Sequence, residues 1–385
     1  MLFSLVIYNV ILFGSGLFTF LQEKVRNRNI KFIFILLSFL LIFIPSAIRY
    51  NIGTDYRVYV EIFESLKQHE LLYLDPGFRY INEIIIYFKL PAEILFFITS
   101  FLIYFFIFLS LPSKGKYVYL IIFITSTYFV SYNLVRSSIA LSICAYSVIL
   151  YYKKNNIFAY ILLILLASTM HLSALLFISI PIVSFILRPY AYIHYRYLIF
   201  ISLLIIFIFK NAILLFILKN IIPIIGYDQY LSLELYMSAP KINSGLGILL
   251  RAMPLLALLV FSKEILIRDP KSIIYINISL ICLVCIFFSS SIEIFSRLEK
   301  IFLPAYMFSI YLIYINCNIP FHKTLTLFFV LSQILIFELT IIKSESNKCD
   351  GPRITPYVSI FNKQDDRSVQ MTRMECLESK NEKNH

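Results

Sequence analysis

The sequence predicts an all-α polytopic membrane protein with about 12 transmembrane helices, and three observations predict it. Of its 385 residues, 60% are apolar and only 15% are charged, where a soluble chain carries roughly a quarter. Apolar runs recur from residue 2 to residue 342, so residues 1–343 read as a single membrane domain. The cations sit in short clusters between these runs. That is a topology pattern, and anionic lipid accounts for the net charge of +12 without any nucleic-acid partner.

The first run, Leu2 to Leu21, is too long for a signal-peptide core and has no small-residue cleavage site, so it stays as a helix. Further runs follow at 32–48, 94–112, 117–131, 134–152, 157–170, 172–187, 197–223, 246–262, 272–292, 301–316 and 324–342. Several fall short of the roughly 20 residues a bilayer requires; snorkelling cations and local thinning absorb the difference. The chain has no tryptophan, so tyrosine alone supplies the interfacial belt. Residues 157–187 lie between Lys153-Lys154 and Arg188 with Arg196, which predicts two short helices meeting near Thr169-Met170-His171. The stretch 197–223, although interrupted by Lys210-Asn211, reads as one tilted helix.

Connections 22–31, 113–116, 153–156, 188–196, 263–271 and 317–323 hold fourteen of the 34 cations. Placed in the cytoplasm, they leave the N-terminus and two long connections, 49–93 and 224–245, facing outward. In the first, Tyr59, Ile62, Phe63 and Leu66 recur at helical spacing, as do Phe78, Ile81, Ile85 and Phe88. Asp75-Pro76 supplies a cap and a first-turn proline, so two short amphipathic helices on the membrane face are predicted. The second connection is a turn-rich cap. Residues 344–385 form a polar tail, also outward, with a disordered end. Cys144, Cys282, Cys285 and Cys317 lie in or beside helices and read as small core residues; nothing compels Cys349 and Cys376 to pair.

With this topology, Arg49, Asp55, Arg136, His171, Asp228, Arg251 and Arg297 all fall near the outer ends of helices. Several arginines with few acids at one membrane face suit an anionic ligand such as pyrophosphate, which guanidinium binds bidentately. Arg136 opposes the dipole of the helix it begins, which favours a functional role. Arg251 lies in an apolar run, where an unpaired arginine costs about 2.5–3.5 kcal/mol, so an anionic partner is expected. Glu293 or Glu299 are the natural partners of Arg297. Arg49 reads equally as a snorkelling cation, Asp55 as a helix cap, and His171 as a structural histidine. No Walker loop, dinucleotide turn or H-E-x-x-H motif is present, and no metal or cofactor is implied.

On these residues the chain resembles the EpsG-like family of bacterial polysaccharide polymerases, a branch of the Wzy-type enzymes. The resemblance runs through Arg49, Gly53, Asp55 and Tyr59, then Asp75-Pro76-Gly77-Phe78, then Asn133, Arg136 and Ile139-Ala140. It continues through His171, Ser173 and Ala174, then Tyr227, Tyr230 and Arg251, and ends at Pro356-Tyr357. Ser137 stands where the family commonly has glutamine.

The resemblance implies a glycan polymerase at the outer face of the cytoplasmic membrane, acting on undecaprenyl-pyrophosphate-linked oligosaccharide. Membrane lipid, a chain-length regulator and a flippase are its implied partners. Arg49, Arg136, Arg251 and Arg297 are then the pyrophosphate ligands. His171, with Asp55 second, is the candidate base, and Tyr59, Tyr227, Asp228 and Tyr230 are sugar contacts. A flippase for the same lipid-linked glycans, or an O-antigen-ligase-like transferase, would use similar residues.

Overall fold

Helix formation follows the apolar runs closely in the computed structural model, which describes residues 2–70, 72–220, 246–316, 320–346 and 352–363. Helix α1 (Leu2–Lys24) contains a π-helical turn at Val10–Gly14, and α2 (Arg28–Ala47) starts where the Asn27 side chain accepts the Asn29 and Ile30 N–H groups. The first long connection folds as predicted into two amphipathic helices, α3 (Tyr56–Lys67) and α4 (Pro76–Tyr87). They bury Tyr59, Phe63, Leu66, Phe78, Ile81 and Ile85, whereas Phe88 ends α4 and points to the surface.

Helix α5 (Glu93–Leu109) is followed by α6, residues 116–133, whose centre is a second π-helical turn at Ile124–Tyr128. A single non-helical residue, Leu134, separates α6 from α7 (Val135–Lys154). Helices α8 (Ile157–Met170) and α9 (Leu172–Ile186, opening with a 3₁₀ turn over Leu172–Ile178) form the predicted pair, closed where the Tyr160 hydroxyl donates to the Phe177 carbonyl at 2.6 Å. The chain continues through α10 (Pro189–His194), α11 (Arg196–Ile208), α12 (Lys210–Asn220), α13 (Leu246–Val260) and α14 (Ser262–Arg268). It ends with α15 (Ile273–Ser289), α16 (Glu293–Ile301), α17 (Pro304–Ile315) and α18 (Pro320–Ser346). Cys144, Cys282 and Cys285 are free and buried in this core, as their apolar neighbours predict.

Two expectations fare less well. Each predicted run is mainly helical where it is described, yet among the described residues five helices are long and apolar enough to cross a membrane, or up to seven if each bent pair is one span. The count of about 12 crossings is therefore not confirmed. Helices such as Ile157–Met170 rise only about 21 Å, against a hydrocarbon core of roughly 30 Å. Nor is 197–223 one tilted helix, because α11 and α12 bend by 75° at their break. Lys210 stands at this break, where it bonds to the Ser290 hydroxyl and lies over the Phe207 ring. An ammonium group within an apolar run needs such partners, and the bend is compatible with reaching them.

The two ends of the bundle differ in chemistry. At one end Lys116 bonds to Gln22 and Glu23, Tyr152 to Asp269, and Arg268 to the Asn316 carbonyl, so the cationic connections gather there. At the other end the start of the tail packs into the fold. Ile360 N–H donates to Ile48 O, Tyr50 N–H to Val358 O and Gly53 N–H to Arg353 O, and an isolated bridge joins Arg49 to Ser359. The Tyr357 hydroxyl donates to Pro45 O and the Tyr357 N–H donates to the Ser4 hydroxyl oxygen, while the Tyr8 hydroxyl donates to Ile354 O at 2.6 Å. Residues near the N-terminus, the 48–53 loop and the tail thus share one end, which requires an even number of crossings between them. The expected disordered stretch of the tail, from residue 364, lies outside the described residues.

Tyr357→Ala removes that hydroxyl bond and the edge contact with the Tyr8 ring at 6.1 Å. For a half-buried aromatic side chain the loss is roughly 2 kcal/mol, read as a lower melting temperature of the detergent-solubilised protein. An unchanged melting temperature would show that the tail adds nothing to the fold.

Candidate functional site

The site is assembled around the N-terminus of α7. Helix α6 stops at Asn133, whose side-chain Oδ1 is turned back to accept the Thr54 N–H at 2.7 Å. Gly53, at φ +99°, makes that approach possible, because a Cβ there would stand 2.8 Å from Tyr132 O and from Asn133 Oδ1. The first free N–H of α7, that of Val135, donates to the Tyr59 hydroxyl at 3.1 Å. Burial raises the Tyr59 phenol, with Arg136 lowering it and Asp55 raising it, so these three side chains lie within electrostatic reach of one another.

Arg136 projects from the first turn of α7 and pairs with Asp75, a residue the sequence marked as a helix cap and as part of the family motif. Asp75 makes no side-chain bond to its own helix. Its Oδ2 instead accepts from Arg136 Nη1 at 3.0 Å and lies 3.7 Å from Nδ1 of His171. Burial acts to raise the Asp75 carboxyl, but the neighbouring His171 imidazole, the Arg136 guanidinium and the Leu172 N–H together hold it below its usual value. Gly77 lets α4 come this close: a Cβ on it would meet Thr169 Oγ1 at 2.6 Å and Thr169 O at 3.0 Å, at the end of α8. His171 occupies the extended link between α8 and α9. Its Nδ1 and the Ser173 hydroxyl are buried without a hydrogen-bond partner, an unusual condition for polar groups at a helix junction.

The other sequence candidates divide. Asp55 takes the N-cap position of α3 without capping it, and accepts the Thr54 hydroxyl at 3.0 Å. Arg49 is only 2% exposed and does not snorkel. Its guanidinium lies over Tyr132 at 4.5 Å and Phe96 at 4.9 Å, and Nη1 donates to Ser46 O at 2.8 Å. Ser46 in turn bonds to Ser100 and Tyr104, so Arg49 closes a buried polar network below the loop. Tyr59 is buried as well, its hydroxyl committed to α7.

Arg251 has the anionic partner its position demands: Nη1 donates to Glu299 at 2.6 Å, and the second oxygen of that buried carboxylate accepts the Ser289 hydroxyl at 3.0 Å. Glu299, which the sequence offered beside Glu293 as a partner of Arg297, thus pairs with Arg251. Arg297 is exposed on α16, which packs against α7 and the opening turn of α9, the elements that carry Arg136 and follow His171. Tyr227, Asp228 and Tyr230 lie outside the described residues.

The profile of the EpsG family matches residues 32–359, which span every residue of this cluster. The chain belongs to the EpsG family. Members of that family are exopolysaccharide polymerases of the Wzy type, and the apolar helices make this EpsG protein a multi-pass membrane protein. No curated protein and no solved structure matches it. Sequence reasoning missed Asp75, Glu299 and Gly77 as site-forming residues. The first and last of these were visible in the Asp-Pro-Gly-Phe match but had been given only local work. Glu299 carried no signal beyond its position two residues after Arg297.

Because the folded Asp75 carboxyl lies below its unfolded value, its stabilising contribution is present above the ordinary carboxylate range and lost as pH falls through the folded value. Asp75→Asn should lower the melting temperature by a constant margin from neutral pH down to mildly acidic pH. That margin should close below about pH 4, where wild-type Asp75 takes up its proton. A gap that persists into strong acid would show that the charge of Asp75 is not what matters.

Proposed function

We propose that this EpsG protein transfers a growing glycan from undecaprenyl-pyrophosphate to the next lipid-linked repeat unit, at the outer face of the bacterial cytoplasmic membrane. The observation that carries the reading is the shared carboxylate of Asp75, which holds a cation and an imidazole from two different helix junctions against one another.

In this reaction the acceptor hydroxyl oxygen forms a bond to the anomeric carbon of the donor. The bond from that carbon to the pyrophosphate oxygen breaks, and the hydroxyl proton passes to a base. His171 is that base. Asp75 orients Nδ1 as the 3.7 Å separation shortens to a hydrogen bond with substrate in place, leaving Nε2 for the proton. Arg136 uses one nitrogen on Asp75 and offers its remaining donors to the pyrophosphate, whose charge grows as the bond breaks. Arg251 and Arg297 extend this cationic surface along α13 and α16. Tyr59 and Arg49 act as positioning residues, fixing the start of α7 and the loop above it. Asp55 is the second candidate for the base. Placement of the N-terminus and the tail on the outer side rests on the cationic connections at the other end of the bundle.

His171→Ala and Arg136→Gln, in correctly inserted protein, should each reduce polymer by about 100-fold or more and leave single repeat units on lipid. The readout is a gel of polysaccharide from a deletion strain carrying each variant. Normal polymer from His171→Ala would remove it as the base. Unligated long chains or a loss of all outward product would point to a ligase or a flippase instead.

Arg251→Gln alone is ambiguous, since it strands a buried carboxylate at a cost of roughly 3 kcal/mol. The double variant Arg251→Gln/Glu299→Gln should recover most of that stability while still failing to polymerise. Recovery of polymer together with stability would confine Arg251 to a structural role.

A further inference from the structure

At the opposite end of the bundle lies a cavity of about 430 Å³ that the polymerase chemistry does not use. Its walls come from the end of α7, the start of α8, the end of α9 and the start of α15. It is separated from Arg136 by nearly the whole of α7, roughly 22 Å of helix. Ile157, Phe185 and Ile274 give it an apolar wall, while Ser184, Arg188 and Lys271 give it polar and cationic groups. The Arg188 guanidinium is braced by its bond to Phe185 O at 3.0 Å and by the Phe185 ring at 4.5 Å.

No described carboxylate forms an ion pair with Arg188 or Lys271. The nearby acid, Asp269, is already engaged by the Tyr152 hydroxyl at 2.6 Å and the Ser272 hydroxyl at 2.7 Å. The site therefore offers two cations, a hydroxyl and an apolar wall, at the end of the bundle where the cationic connections gather. Its size lies within the range of ordinary ligand pockets. Basic pockets between helices at this level of a membrane take anionic headgroups.

We propose that this cavity binds one anionic phospholipid, its phosphate between Arg188 and Lys271 and the upper part of an acyl chain against Ile157, Phe185 and Ile274. Free phosphate would satisfy the cations but leave the apolar wall bare. A zwitterionic lipid would bring a third cation to a site that already has two.

The test uses the full chain, purified in detergent and stripped of lipid, with melting followed by loss of the folded peak in size-exclusion chromatography. Phosphatidylglycerol should raise the melting temperature by roughly 5 °C more than phosphatidylcholine does, and the difference should vanish in Arg188→Gln/Lys271→Gln. The control Lys114→Gln/Lys323→Gln removes two exposed cations from the same end without touching the cavity, and should keep the full difference. Equal stabilisation by phosphatidylcholine, or by millimolar inorganic phosphate alone, would overturn the assignment. So would a difference that survives in the cavity variant or disappears in the control. None of these outcomes depends on polymerase activity, so the proposal stands or falls apart from the catalytic reading.

Discussion

A half-buried carboxylate cannot be left without partners, and at Asp75 that constraint holds the site together. Its two protein partners, Arg136 and His171, start from different helix junctions and have no direct bond to each other. The carboxylate draws α4, a helix of the first long connection, against both. Gly77 makes the contact sterically possible, and the Leu172 N–H adds a third anchor from the opening turn of α9. Removing the charge would leave Arg136 without its ion pair and His171 without its orienting neighbour, so structure and chemistry at this point are the same interaction.

The fold was legible in the sequence because a bilayer-like apolar pattern is a coarse signal, repeated many times. The amphipathic spacing of Tyr59, Phe63 and Leu66 foretold α3, and Thr169-Met170-His171 did mark the meeting of two short helices. Lengths were less legible, since an apolar run says nothing about whether a helix will bend. Lys210 shows the limit: its charge was plain in the sequence, but the serine it reaches lies 80 residues further on.

The site was legible in its cations and poorly legible in its acids. An arginine at a helix end stands out in an apolar chain, whereas an aspartate before a proline has an adequate local explanation as a cap. Long-range pairings such as Arg136 with Asp75 and Arg251 with Glu299 have no sequence period to announce them. The same holds for Arg49, which the sequence left between a snorkelling cation and a pyrophosphate ligand. Its ring contacts with Phe96 and Tyr132 show instead a cation enclosed by aromatic faces, a favourable setting for a guanidinium that pairs with no carboxylate among the described residues.

The closure of the loop by the tail bears on how the protein comes into being. Tyr50 and Gly53 take their backbone partners from Val358 and Arg353, and Tyr8 reaches an acceptor 346 residues away. A ribosome releases those partners only when nearly all of the chain has been translated and inserted. Until then the loop over Arg49 lacks the backbone bonds that the tail supplies, and Gly53 is held against Asn133 without its bond to Arg353 O. Assembly of this end of the bundle is therefore a late event of biogenesis, so a chain truncated before the tail would reach the membrane with its helices in place and this end unfinished.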